Sequence, residues 1–101
     1  MGEQNLYQKY SENGRLTPYE SILNALNHIK STINIYNFIS DYILENTKYA
    51  TNRFLRREER EKIRQEFAQA IRCYAELSNC KSSEEKARKW LSGLEAILFK
   101  P

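Results

Sequence analysis

The fold is decided by residues 17–45, which read TPYESILNALNHIKSTINIYNFISDYILE. Thr17 can cap a helix, Pro18 suits the first helical position, and Glu20 completes a capping box three residues after the cap. Apolar residues follow at alternating steps of three and four, interrupted once by a polar Ser40. They are Tyr19, Ile22, Leu26, Ile29, Ile33, Tyr36 and Ile43. This heptad seam predicts one long helix over residues 18–45.

Two other interpretations of this stretch stay open. A break near Ser31 would divide it into two helices. A strand over residues 32–39 would suit the β-branched Ile and Thr side chains found there. The apolar seam keeps its phase through Lys30, Ser31 and Thr32, and this continuity favours the single helix.

Two more helices are predicted downstream, over residues 54–78 and 83–99, after a polar loop at 46–52. The first has an apolar stripe at helical spacing. The stripe is Leu55, Ile63, Phe67, Ala70, Ile71, Tyr74 and Leu77. Ser82 and Glu85 form a second capping box, which begins the last helix. Its apolar face is Ala87, Trp90, Leu91, Leu94, Ile97 and Leu98. Gly93 lies inside that helix, where glycine lowers helix stability by about 1 kcal/mol relative to alanine. Its presence indicates either close packing against a neighbouring helix or a position where this loss of stability is tolerated.

These elements together predict an all-α antiparallel bundle of three main helices, or of four if the first helix breaks near Ser31. Residues 17–101 would form a single domain, and residues 1–16 a loosely ordered N-terminal arm. The 101 residues include three glycines and two prolines, too few for the many tight turns of an all-β fold.

The net charge and the cysteine content limit which partners and which cellular compartment we expect for the chain. The net charge of +3 permits an acidic protein, nucleic acid or an anionic membrane surface as partner and selects none of them. No apolar run approaches the roughly 18 residues of a membrane span, and residues 1–10 lack the apolar segment of a signal peptide. We therefore expect a cytoplasmic protein in which Cys73 and Cys80 are free thiols.

No residue pattern in the chain indicates catalysis. His28 is the single histidine, and its place beside the apolar seam is typical of a boundary residue rather than a general base. The chain has no glycine-rich phosphate loop and no carboxylate cluster suited to acid–base chemistry. We expect no enzyme activity, no cofactor and no metal site.

A basic stripe is the strongest polar candidate for a binding site. Five arginines recur at helical spacing within an arc of about 100°, and guanidinium groups suit anions because each offers a planar fork of donors. They are Arg53, Arg56, Arg57, Arg60 and Arg64. The alternative is local neutralisation by interleaved acids. These are Glu58, Glu59, Glu61 and Glu66.

A surplus of apolar residues on one predicted helix is the second candidate for a binding surface. Between residues 33 and 44 the apolar arc spans more than half of a helical wheel, whereas a surface helix buries a stripe of roughly 100°. We expect self-association to cover the surplus, unless two neighbouring helices of the same chain already do so. The residues assigned to self-association are Ile35, Phe38, Ile39 and Tyr42.

The predicted function is a non-enzymatic intracellular role by protein–protein interaction, as an adaptor, inhibitor, immunity or assembly factor. We expect a homodimer that binds a partner protein with an acidic surface. The alternative is a nucleic-acid-binding helical module that uses the stripe at residues 53–64. Glu58, Glu59 and Glu61 would repel phosphates there, which favours the protein partner.

Overall fold

A computed structural model describes residues 5–46 and 56–98, and every element in these ranges is helical. The prediction of an all-α protein is therefore confirmed. The helices are α1 (Leu6–Tyr10), α2 (Pro18–His28), α3 (Thr32–Asn46), α4 (Arg57–Ala75) and α5 (Ser83–Leu98), with a 3-10 turn at Glu76–Asn79. In these two ranges, no helix combines the length and the apolar character that crossing a membrane requires.

The single helix predicted over residues 18–45 is wrong, because the chain breaks between α2 and α3. Ile29 is extended (φ −83°, ψ 123°), and the Ser31 hydroxyl accepts a 3.3 Å hydrogen bond from the backbone N–H of Asn34 at the start of α3. The strand considered for residues 32–39 is also wrong, since they lie in α3. The apolar phase shifts at the break: Ile33 of the predicted seam is 67% exposed, whereas Ile35 is buried.

Two capping boxes were predicted, and the one at the start of α2 is confirmed. The Thr17 hydroxyl accepts from the Glu20 N–H (3.2 Å), and the Glu20 carboxylate accepts from the Thr17 N–H (2.9 Å). At α5 the box is altered. The Ser82 hydroxyl accepts from the Glu85 N–H (3.1 Å), but the Glu85 carboxylate bonds to the N–H of Lys81 (2.9 Å).

The core lies where α2 packs on α5, α4 on α5, and α3 on α4. Trp90 of α5 is fully buried, and its ring lies 5.1 Å from that of Tyr74 and 6.2 Å from that of Phe38. The buried apolar side chains come from α2 to α5, from the 3-10 turn and from Ile29, which follows α2. They are Ile22, Ala25, Ile29, Ile35, Phe38, Ile39, Tyr42, Ile43, Ala70, Leu77, Ala87, Trp90 and Leu94.

Residues 5–16, within the predicted N-terminal arm, form α1 and a turn. The ring of Tyr7 packs edge-on against Tyr42 (5.1 Å between centroids) and lies 6.0 Å from Phe38. The backbone N–H of Leu6 donates to the Asp41 carboxylate at 2.8 Å. This segment therefore covers part of α3. The division into an arm at 1–16 and a domain at 17–101 stays a prediction.

Candidate functional site

The arginines of the predicted stripe lie at the beginning of α4. Arg56 is the N-cap, and its backbone N–H donates to the Glu59 carboxylate at 2.9 Å. The guanidinium of Arg56 carries donors only, so its side chain cannot cap the helix in return. Glu58 and Glu59 occupy the first turn, where negative charge stabilises the positive end of the helix dipole. These two glutamates therefore have a structural role of their own.

The arginine face of α4 consists of Arg57, Arg60, Arg64 and Arg72, all exposed. With 3.6 residues per turn, the four fall within an arc of about 120°, and the face runs for about 22 Å along the helix. On the same wheel Glu61 lies inside the arc, and the other acids of α4 lie outside it. Those are Glu58, Glu59 and Glu66.

The structure accordingly brings most of the predicted stripe together. Arg57, Arg60 and Arg64 share the face, and exposed Arg56 precedes them. Arg53 lies outside the described residues. Arg72 was missed from the sequence, although its place eight residues after Arg64 is the signal that would have found it.

Ion pairing neutralises little of the arginine face. The Arg64 Nη1 atom lies 3.5 Å from the Glu61 Oε2 atom, with the two side chains 77% and 56% exposed. Exposed pairs of this kind contribute a fraction of a kcal/mol. Arg57, Arg60 and Arg72 form no ion pair within residues 5–46 and 56–98. Among the described residues, the ion pairing expected from local neutralisation is present at Arg64, and whether the stripe is neutralised or functional stays a prediction.

The position of Arg56 and Arg57 is unfavourable for the helix itself. Cations at a helix N-terminus oppose the macrodipole, whereas Arg72 in the last turn complements it. In the described part of the chain, no ion pair offsets the unfavourable charge of Arg57 at this helix end. Residues that break a local rule without local compensation are expected at functional surfaces. The N-terminal half of the arginine face is therefore the part that suits a binding role best.

The residues assigned to self-association are not on the surface. Ile35, Phe38, Ile39 and Tyr42 are at most 3% exposed, because α1, α2 and α4 pack against α3 and Trp90 of α5 lies beside Phe38. The expectation that the chain's own helices leave this arc uncovered is wrong for these four. Burial, together with the nearby Tyr7 and Glu95, raises the pKa of the Tyr42 phenol. Self-association itself stays a prediction.

The other candidate groups show no catalytic arrangement among the described residues. The His28 Nδ1 atom lies 2.8 Å from the Asn24 carbonyl oxygen on the exposed side of α2. Cys73 and Cys80 are free cysteines, and burial, aided by Glu76, raises the pKa of the Cys73 thiol. Within residues 5–46 and 56–98, no three His, Cys, Asp or Glu side chains are placed to hold a metal.

One cleft of about 290 Å³ opens between α2, the end of α4 and the start of α5. Its described lining includes Leu26, Ile29 and Tyr74, with Ser83 and Lys86 at the polar side. The described lining holds no carboxylate, histidine or cysteine.

No protein-family model, no curated protein and no solved structure shows significant similarity to this chain. A proposal about its function therefore rests on the arginine face and on the charges around it.

Proposed function

We propose that this protein is a non-enzymatic binding protein that attaches to an acidic partner protein through the arginine face of α4. The observation that carries the proposal is Arg57. It is exposed, unpaired within the described residues, and placed at the end of the helix where a cation is least favourable. A partner carboxylate would supply the missing compensation.

The spacing along α4 indicates the shape of such a partner. Arg57, Arg64 and Arg72 are seven and eight residues apart, which is about 10–12 Å per step along the helix. Guanidinium groups bind carboxylates through two parallel hydrogen bonds, which adds geometric specificity. A partner helix with glutamates at the same spacing would meet all three arginines. Adaptor, inhibitor, immunity and assembly roles all fit this mode of binding.

Nucleic acid is the second candidate partner, and one observation favours it. Glu58 and Glu59 lie outside the arginine arc, so Glu61 is the acid that would oppose a phosphate within it. Two observations oppose a nucleic-acid partner. Glu61 lies inside the face and already contacts Arg64, and the net charge of the chain is only +3. Binding to several phosphates would weaken steeply with salt, which distinguishes the two partners.

Charge reversal on one face of the molecule tests the proposal. The test variant is Arg57→Glu/Arg60→Glu/Arg64→Glu. The matched control, Lys81→Glu/Arg88→Glu/Lys89→Glu, makes the same net charge change at exposed positions near and on α5. The probe is a fluorescent helical peptide with glutamates seven and eight residues apart, compared with a scrambled peptide of equal composition and with a short DNA duplex.

We expect the test variant to bind the ordered peptide about tenfold more weakly or worse, and the control to bind it as the wild type does. Equal loss in both variants would assign the binding to net charge and contradict a specific face. Preference for the duplex, with a steep salt dependence lost in the test variant, would favour the nucleic-acid alternative. Self-association and a cytoplasmic location stay predictions alongside this proposal.

A further inference from the structure

The helix α1 is five residues long and is held mainly by α3. The Leu6 N–H donates to Asp41 (2.8 Å), and the side-chain amide of Gln8 donates to Glu45 (3.1 Å). Its aromatic contacts are Tyr7, whose ring packs on Tyr42 and near Phe38, and Tyr10, whose ring lies 6.3 Å from that of Phe38 and 6.4 Å from that of His28 on α2. A helix of this length is not stable alone, so these tertiary contacts maintain it.

The turn after α1 holds Glu12 in a left-handed backbone conformation that this residue disfavours. Glu12, Asn13 and Gly14 all have positive φ values, of 52°, 59° and 87°. The Asn13 N–H donates to the Gln8 carbonyl (2.8 Å), and the Glu12 N–H to the Lys9 carbonyl (3.3 Å). These two bonds form a Schellman motif in which glutamate occupies the position that glycine prefers. Opening this turn would release the strain at Glu12.

We propose that α1 is exchanged between two copies of this chain, so that α1 of each copy occupies the groove on α3 of the other. The occupant is chemically identical to the helix that already fits there, so every contact with α3 is formed again. The contacts with α2 are formed again as well, namely the Asn24 amide donating to the Tyr10 carbonyl (3.0 Å) and the Tyr10 ring stacked near His28 (6.4 Å).

The geometry of the connection permits this exchange. The seven residues 11–17 reach up to about 24 Å when extended, several times the length of α1. A strained hinge next to a small docked element favours exchange, because the open hinge loses the strain while the docking contacts remain. Phe38 and Tyr42 would then contact Tyr7 of the second copy without leaving the core. This mode of association is independent of the arginine face.

Two variants of the hinge should shift the equilibrium between monomer and exchanged dimer in opposite directions. Glu12→Gly removes the strain of the closed turn, whereas Gly14→Ala adds a β-carbon at φ 87° and increases it. We expect sedimentation to show a concentration-dependent dimer of the wild type. Dimerisation should be about tenfold weaker in Glu12→Gly and stronger in Gly14→Ala, since each dimer contains two hinges. A wild type and a Gly14→Ala variant that both stay monomeric at millimolar concentration would overturn the proposal.

A mixed-cysteine experiment on the unmodified hinge identifies the exchanged contact directly. In a Cys73→Ala/Cys80→Ala background, one chain carries Gln8→Cys and the other Glu45→Cys. Exchange predicts that mixing and mild oxidation give a disulfide-linked species between the two chain types, at twice the 12.0 kDa chain mass. A dimer without this cross-link, unaffected by Glu12→Gly, would show association through another surface and overturn the proposal.

Discussion

The Sγ atom of Cys73 on α4 lies 2.9 Å from the position that a β-carbon on Gly93 of α5 would occupy, and the Cys73 Cβ lies 3.4 Å from it. The glycine is therefore required by the close approach of α4 and α5. Of the two interpretations of Gly93 from sequence, close packing is the one that the structure shows.

This contact predicts that Gly93→Ala destabilises the wild type much more than it destabilises a variant that lacks the Cys73 sulfur. Gly93→Ala in the wild type should lower the free energy of unfolding by about 1–3 kcal/mol, because the helices must separate or Cys73 must leave its rotamer. In a Cys73→Ala background the sulfur is gone, and the gain of about 1 kcal/mol in helix propensity offsets most of the remaining crowding. Urea unfolding of the four proteins in the cycle measures this coupling. Equal effects of Gly93→Ala in both backgrounds would contradict it.

The two ends of the arginine face should respond oppositely to neutralisation. Arg57→Gln removes a cation from the positive end of the α4 dipole and should stabilise the protein by about 0.3–1 kcal/mol at low salt. Arg72→Gln removes a cation from the opposite end and should destabilise it by a similar amount. Thermal unfolding at low and high salt is the measurement, and the difference should shrink as salt is added. A destabilised Arg57→Gln variant would assign Arg57 a structural role.

The capping box of α2 predicts an acid-dependent contribution to stability. Hydrogen bonds from the Thr17 backbone and side chain hold the pKa of the Glu20 carboxyl below its ordinary value. A lowered pKa in the folded state means that the contribution is present above the unfolded value of about 4.3 and is lost as the pH falls through the folded pKa. The difference in Tm between wild type and Glu20→Gln should therefore shrink on acidification below that value. A difference that stays constant down to strongly acidic pH would show that the carboxylate charge is not involved.

The helix starts could be predicted from sequence because their chemistry is local. Thr17 and Glu20 interact across three residues, as do Ser82 and Glu85, and such spacings are visible without the fold. The altered partner of the Glu85 carboxylate was not foreseen, since Lys81 and Ser82 both offer an N–H within its reach.

The break between α2 and α3 could not be predicted in the same way. An apolar seam reports the phase of a helix and does not show where the helix ends. Ile29 fits the apolar seam of a continuous helix, yet in the folded chain it is buried in an extended conformation, which packing decides. The burial of Phe38 likewise depends on Tyr7, far away in sequence and in a segment that reads as polar.

The arginine face was largely visible in the sequence, but its electrostatic setting was not. Helical spacing groups Arg57, Arg60 and Arg64, whereas a linear reading interleaves them with glutamates. The structure shows that Glu59 accepts the Arg56 N–H and that Glu61 contacts Arg64. Glu59 and Glu61 therefore have identified partners, and the arginine side chains of the face remain exposed.

A charge swap across one contact tests the central claim that the arginine face binds a partner's carboxylates. Arg64→Glu is titrated with the glutamate peptide and with a peptide in which the central glutamate is replaced by arginine. We expect about tenfold weaker binding of Arg64→Glu to the glutamate peptide, and recovery with the arginine-substituted peptide, because the exchanged pair restores one salt bridge in register. The same affinity of Arg64→Glu for both peptides, or a recovery equally large for Arg88→Glu, would contradict the claim.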